Sequence, residues 1–120
     1  MNNFKELIVW KKARLIVKSI YTITLKLPVD EKFGLISQIR RCAISIPSNI
    51  AEGASRASEK EFAHFLEIAY GSSFELETQL LLCVDIEFLQ NEEVSLIISD
   101  IKEVQKIIYT LIKNKRILNK

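Results

Sequence analysis

The chain of 120 residues has little glycine, proline, cysteine or histidine: 3 Gly, 2 Pro, 2 Cys and 1 His. So few turn-formers leave little punctuation for a β-sandwich or barrel. Cys42 and Cys83 stand alone, without a C-x-x-C or Cys–His spacing, so a zinc site is not expected. They read as reduced, buried thiols serving as small hydrophobes. Glu61-Phe62-Ala63-His64 has the Glu-x-x-His spacing of a di-iron bundle, but no second histidine exists to complete it. His64 falls opposite the inner face of its helix and reads as a solvated histidine. A single histidine also argues against Ser–His or Cys–His nucleophilic catalysis. No glycine-rich phosphate loop is present. Glu52, Glu75 and Glu77 are not paired by the sequence, and glutamate is a good helix former. No enzyme, metal or cofactor is expected. No uncharged apolar run approaches the ~18 residues of a membrane helix. The start, MNNFKELIVWKKAR, is charged within five residues and lacks a small-residue cleavage site. The expected location is therefore the cytoplasm, with no membrane partner.

What is abundant is Leu, Ile, Lys and Glu, which predicts an all-α protein. The length fits one domain over residues 1–120. Four helices are expected. The first runs from about Lys5 to Leu27, with a seam of Trp10, Ala13, Val17, Ile20, Thr24 and Leu27, and ends at Pro28. Lys11, Arg14 and Lys18 share another of its faces. The second opens near Asp30-Glu31 and buries Ile39, Ala43, Ile46 and Ile50. Its period continues through Pro47, which predicts a kinked helix, with Gly53 as its stop. The third opens with the capping box Ser58-x-x-Glu61. Its inner stripe is Phe62, Phe65, Leu66, Ala69, Ser73, Leu76, Leu80 and Cys83. A second stripe, Ala63, Tyr70, Phe74 and Leu81, lies around the helix and is a candidate oligomer interface. Gly71-Ser72 is expected to permit close helix approach. The fourth opens near Asn91 and is apolar along Val94, Ile97, Ile98, Ile101, Val104, Ile108, Leu111 and Ile112. Short connections predict an antiparallel up-down four-helix bundle.

Charge is segregated. Residues 1–27 carry +5, residues 28–56 +1, residues 57–112 −8 and the last eight +4. Such segregation fits docking between copies, a basic surface for nucleic acid, or solvated helix faces.

The stretch QIRRCAISIPSNIAEGASR, residues 38–56, makes the reading more specific. It closely resembles the signature of the four-helix-bundle family encoded in intervening sequences of bacterial 23S rRNA genes, also called S23 ribosomal protein. Leu7, Trp10 and Ala13 resemble its first-helix pattern. Pro28, Glu31 and Leu35 match the first junction, and FLEIAYGSSFELETQL, residues 65–80, looks like its third helix. Two departures are Cys42, where alanine is usual, and Ile86-Glu87-Phe88-Leu89, where a glycine-containing turn is commoner. The resemblance implies a bundle assembling as a homopentamer. A related group, the accessory protein of diversity-generating retroelements, is a basic pentameric barrel that binds nucleic acid.

Two functions follow as expectations. One is an oligomer that binds structured RNA or DNA through Lys11, Arg14, Lys18, Arg40, Arg41, Arg56, Lys113, Lys115 and Arg116. Against it, no exposed aromatic platform is visible among the basic residues. The other is a homo-oligomeric interaction scaffold without nucleic-acid binding, in which Arg40 and Arg41 pair with Glu52 or Glu75 of a neighbouring copy.

Overall fold

The computed structural model describes residues 3–118, with the side chain of Leu118 left aside. Four helices follow in order: α1 (Ile8–Thr24), α2 (Leu35–Ala54), α3 (Glu59–Asp85) and α4 (Asn91–Leu118). They pack around a ring, α1 on α2, α2 on α3, α3 on α4 and α4 on α1, as a four-helix bundle 47 Å long. A 3₁₀ turn, Phe4–Glu6, precedes α1. No helix among the described residues is long and apolar enough to cross a membrane.

Helix α1 is turned relative to the expected seam. Val9, Ala13, Ile16, Ile20, Ile23 and Thr24 are its buried residues, with Leu27 just beyond, while Trp10 and Val17 are only half-buried. Both possible stripes are apolar, and contact with α2 and α4 together selects the richer one. Trp10 instead sits against the edge of Phe4 and under Arg14.

Helix α2 begins later than its acidic pair suggested. Asp30 and Glu31 form a separate 3₁₀ turn, Val29–Glu31, and the helix starts after Gly34. The Glu31 carboxylate then accepts from the Leu35 N–H at 3.2 Å, so it caps the helix from outside. Ile39, Ala43, Ile46 and Ile50 are fully buried, and the helix continues through Pro47. Gly53 is not the helix stop. It lies inside the last turn, where a Cβ would come within 2.9 Å of both Phe62 Cδ1 and Phe65 Cβ. Its role is the close approach of α3.

Gly71 has the opposite surroundings. A Cβ there would meet nothing within 4 Å, so the expected close approach at Gly71-Ser72 is not made by this glycine.

Helix α3 opens as expected. The Ser58 hydroxyl oxygen accepts from the Glu61 N–H at 3.1 Å. Its inner stripe is buried except for Phe65, which is half-buried. The turn after it is built without glycine. Glu87 N–H donates to Val84 O at 3.0 Å and Phe88 N–H to Cys83 O at 2.9 Å, the paired bonds of a Schellman motif. The left-handed residue it demands is Glu87, at φ 65°. A side chain is strained there and glycine is not. Glu87→Gly is therefore expected to raise stability by about 1 kcal/mol, read as a higher denaturant midpoint with an unchanged m-value.

Asn91 is the first residue of α4, not its cap. The Gln90 N–H is satisfied by the Glu93 carboxylate at 2.9 Å, half of a capping box. Glu93 also pairs with Lys26, and the Lys26 bond, followed by the Gln90 bond, holds its carboxyl below the usual range.

Candidate functional site

The nine cations proposed for nucleic acid have different fates. Lys11, Arg14 and Lys18 are exposed on the outer face of α1, and none forms an ion pair among the described residues. Arg40 is held by its own chain. Its Nε–H donates to Thr24 Oγ1 at 2.9 Å, Nη2 donates to Tyr21 O at 3.3 Å, and the guanidinium lies 4.3 Å from the Tyr21 ring centre. Thr24 in turn donates to Ile20 O at 2.7 Å. This chain of bonds ties α2 to the C-terminal end of α1, where a positive charge complements the helix dipole.

Arg56 pairs with Glu52 at 2.7 Å and covers the Phe65 ring. Lys115 pairs with Glu59 at 3.0 Å and lies over Phe62, and Arg116 pairs with Glu67. Lys113 is exposed, with its ammonium 5.7 Å from the Tyr109 ring centre. Lys12–Glu103 and Lys26–Glu93 join the basic first segment to α4. Much of the charge segregation is thus matched inside one chain, by surface pairs worth at most ~1 kcal/mol each.

Arg41 is exposed and opens onto a groove of about 460 Å³ between α2 and α3. Gln38, Cys42 and Ser45 form one wall, and Ser72, Glu75 and Gln79 the other. The Ser45 and Ser72 hydroxyls meet at 2.8 Å, and the Cys42 thiol donates to Ser72 O at 3.1 Å. Burial, and then the nearby Glu75 carboxylate, push the Cys42 thiol up to about 12. Cys83 is raised too, by burial and then by Glu31. Both thiols stay protonated at neutral pH, which removes the thiolate that nucleophilic chemistry requires. Buried in the groove wall, Gln79 has a carboxamide oxygen without a hydrogen-bond partner among the described residues. Apart from Phe33 and Ser37, the lining residues come from the stretches 38–56 and 65–80 that carried the family resemblance.

The second stripe of α3 divides. Ala63 is fully buried within the chain, Tyr70 is half-buried, and Phe74 and Leu81 are exposed. Tyr70 and Phe74 face a second groove, shared with α4, that also holds Lys102, Lys106 and Tyr109. Sequence reasoning missed the α4 half of it. The signal for it was Lys102, Lys106, Tyr109 and Lys113 at spacings of four, three and four, one face of a helix. His64 is exposed. Among the described residues no three His, Cys, Asp or Glu side chains converge as a metal would need.

These features define a four-helix bundle whose chemistry lies on its surface, in two inter-helix grooves and one basic helix face. Residues 5–110 match the pattern of the 23S rRNA-intervening sequence proteins, and the chain belongs to that family. It is similar to the crystal structure of a protein of unknown function from the S23 ribosomal protein family of Bacteroides thetaiotaomicron. The two are 29% identical, with a TM-score of 0.82 over 88% of this chain and 99% of that one. No curated protein matches the chain in sequence.

Proposed function

We propose that this chain is a non-enzymatic, self-assembling helix bundle that binds RNA or DNA through the phosphate backbone. The observation that carries the reading is the outer face of α1. Lys11, Arg14 and Lys18 project there without ion-pair partners among the described residues, on a helix that itself contains no acidic residue. Four of the other candidate cations, Arg40, Arg56, Lys115 and Arg116, are engaged by groups of the same chain. Positive potential is therefore concentrated where phosphates can reach it. Contacts of this kind supply affinity without reading sequence. Several copies in one assembly, five being the number the resemblance implies, would multiply a three-cation patch.

The test is fluorescence anisotropy with a structured RNA from about 50 to about 300 mM salt, comparing wild type with Lys11→Glu/Lys18→Glu. The variant is expected to bind at least about tenfold more weakly at low salt, with a salt slope shallower by roughly one for each phosphate it no longer neutralises. No binding by wild type at low salt sinks the reading, as does full binding by the variant.

The alternative, a homo-oligomeric scaffold without nucleic-acid binding, is favoured by the α2–α3 groove. Exposed Phe33 and Arg41 line it together with the buried Gln79, whose oxygen has no partner among the described residues. Absence of RNA binding by a sample whose mass is a multiple of the single chain would select it.

A further inference from the structure

The α3–α4 groove combines aromatic side chains from both helices with lysines of α4. Its volume is about 410 Å³, within the range of ligand-binding clefts. Tyr70, Phe74 and Tyr109 are its aromatic lining. Tyr70 meets Phe74 edge-on, with ring centres 4.9 Å apart, and meets Tyr109 across the helix boundary at 6.2 Å with only 36° between the planes. These rings are not all spent on the core, since Phe74 is 46% and Tyr109 52% exposed. Lys102 and Lys106 line the same groove, and the Lys113 ammonium reaches the Tyr109 ring from the next turns of α4. All three lysines are exposed, and none is ion-paired among the described residues.

The groove lies in the most acidic segment of the chain, yet its lining carries two lysines against one carboxylate. Glu77 is the one carboxylate among the lining residues, and Gln105 donates to it at 2.9 Å. That carboxylate repels phosphate from its part of the groove. The lysines attract phosphate at the rim. A flat, uncharged π-face therefore belongs inside and a polyanionic backbone outside.

We infer that the α3–α4 groove is a stacking site for unpaired bases of single-stranded nucleic acid, with Tyr109 and Phe74 as the platform and Lys102, Lys106 and Lys113 on the phosphates. Stacking on aromatic faces tolerates any base, and adjacent cations track the strand. Lys102 and Lys106 rise about 6 Å apart along α4, with Lys113 about 10 Å further, so they form a line of contacts. Duplexes hide their base faces and cannot use the platform. This inference rests on the nucleic-acid reading above but uses a different face from Lys11, Arg14 and Lys18.

The experiment compares two labelled probes of about twelve nucleotides. One is an unstructured single-stranded RNA, and the other is a same-length phosphodiester strand lacking bases. Tyr109→Ala is expected to weaken binding of the base-bearing strand about tenfold and to leave the abasic strand unchanged. Lys102→Glu/Lys106→Glu is expected to weaken both. Tyr109 is half-exposed, so thermal melting and oligomeric mass should match wild type. Wild-type affinity of Tyr109→Ala for the base-bearing strand overturns the inference. So does a fall in oligomeric mass, which would make this face an interface between copies. Lys11→Glu/Lys18→Glu, run in parallel, separates the cases. If it alone loses binding, the α1 reading stands and the stacking site falls; if wild type binds neither probe nor structured RNA, both fall.

Discussion

Leu80→Ala is expected to lower stability by about 3 kcal/mol, while Leu81→Ala, one residue on, costs less than about 1 kcal/mol. The chemistry deleted is the same. Leu80 is fully buried on the inner face of α3, which packs on both α2 and α4. Removing its side chain takes away transfer energy and leaves a cavity that rigid helices on two sides close only partly. Leu81 lies about 100° further around the helix and is 43% exposed. Water already reaches it, and solvent refills the space after truncation. Differential scanning calorimetry checks both, with Leu80→Ala melting roughly 10 °C below wild type and Leu81→Ala within a few degrees of it. Equal shifts for the two variants would mean that the core face of α3 is misassigned.

Gly53→Ala is expected to destabilise by about 2 kcal/mol, whereas Gly71→Ala stabilises by about 1 kcal/mol. Helix propensity alone predicts a gain at both positions, because glycine is the poorer helix former. At Gly71 nothing opposes that gain, since the added methyl meets no atom within 4 Å. At Gly53 the methyl comes to 2.9 Å from Phe62 Cδ1 and Phe65 Cβ and to 3.2 Å from Phe62 O. Phe65 Cβ and the carbonyl move only with the backbone of α3, and the Phe62 ring is itself buried in the core. The helices must separate, and the close packing along α2–α3 goes with them. Urea unfolding of the two variants, with opposite shifts of the midpoint, is the measurement; a stabilised Gly53→Ala would show that this contact is loose.

The pattern of residues carried the helices a long way. Ile39, Ala43, Ile46 and Ile50 were readable as the inner face of α2 because each apolar position recurs at the helical period, and all four are fully buried. Ser58 and Glu61 announced the start of α3 because a cap is a contact between residues three apart. Both properties are local, so they survive whatever the rest of the chain does. Local reading failed where two answers were locally equal. Helix α1 has two apolar stripes, and only packing against α2 and α4 chose Val9, Ile16 and Ile23 over Trp10 and Val17. Gly53 looked like a terminator because no local rule reveals that Phe62 and Phe65 press against it.

The charges show the same division. Composition established that this is an all-α chain with a basic beginning and an acidic second half. It could not say which cations remain free. Arg40 meets Thr24 and Tyr21, and Arg116 meets Glu67, only after helices distant in sequence lie side by side. Tyr70 and Tyr109 become one aromatic wall for the same reason, and lysines counted within an acidic segment become its basic rim. Periodicity belongs to a single helix and is written in its residues. The register and crossing of two helices arise from the fit of many side chains at once, and they set which polar groups meet and which face solvent.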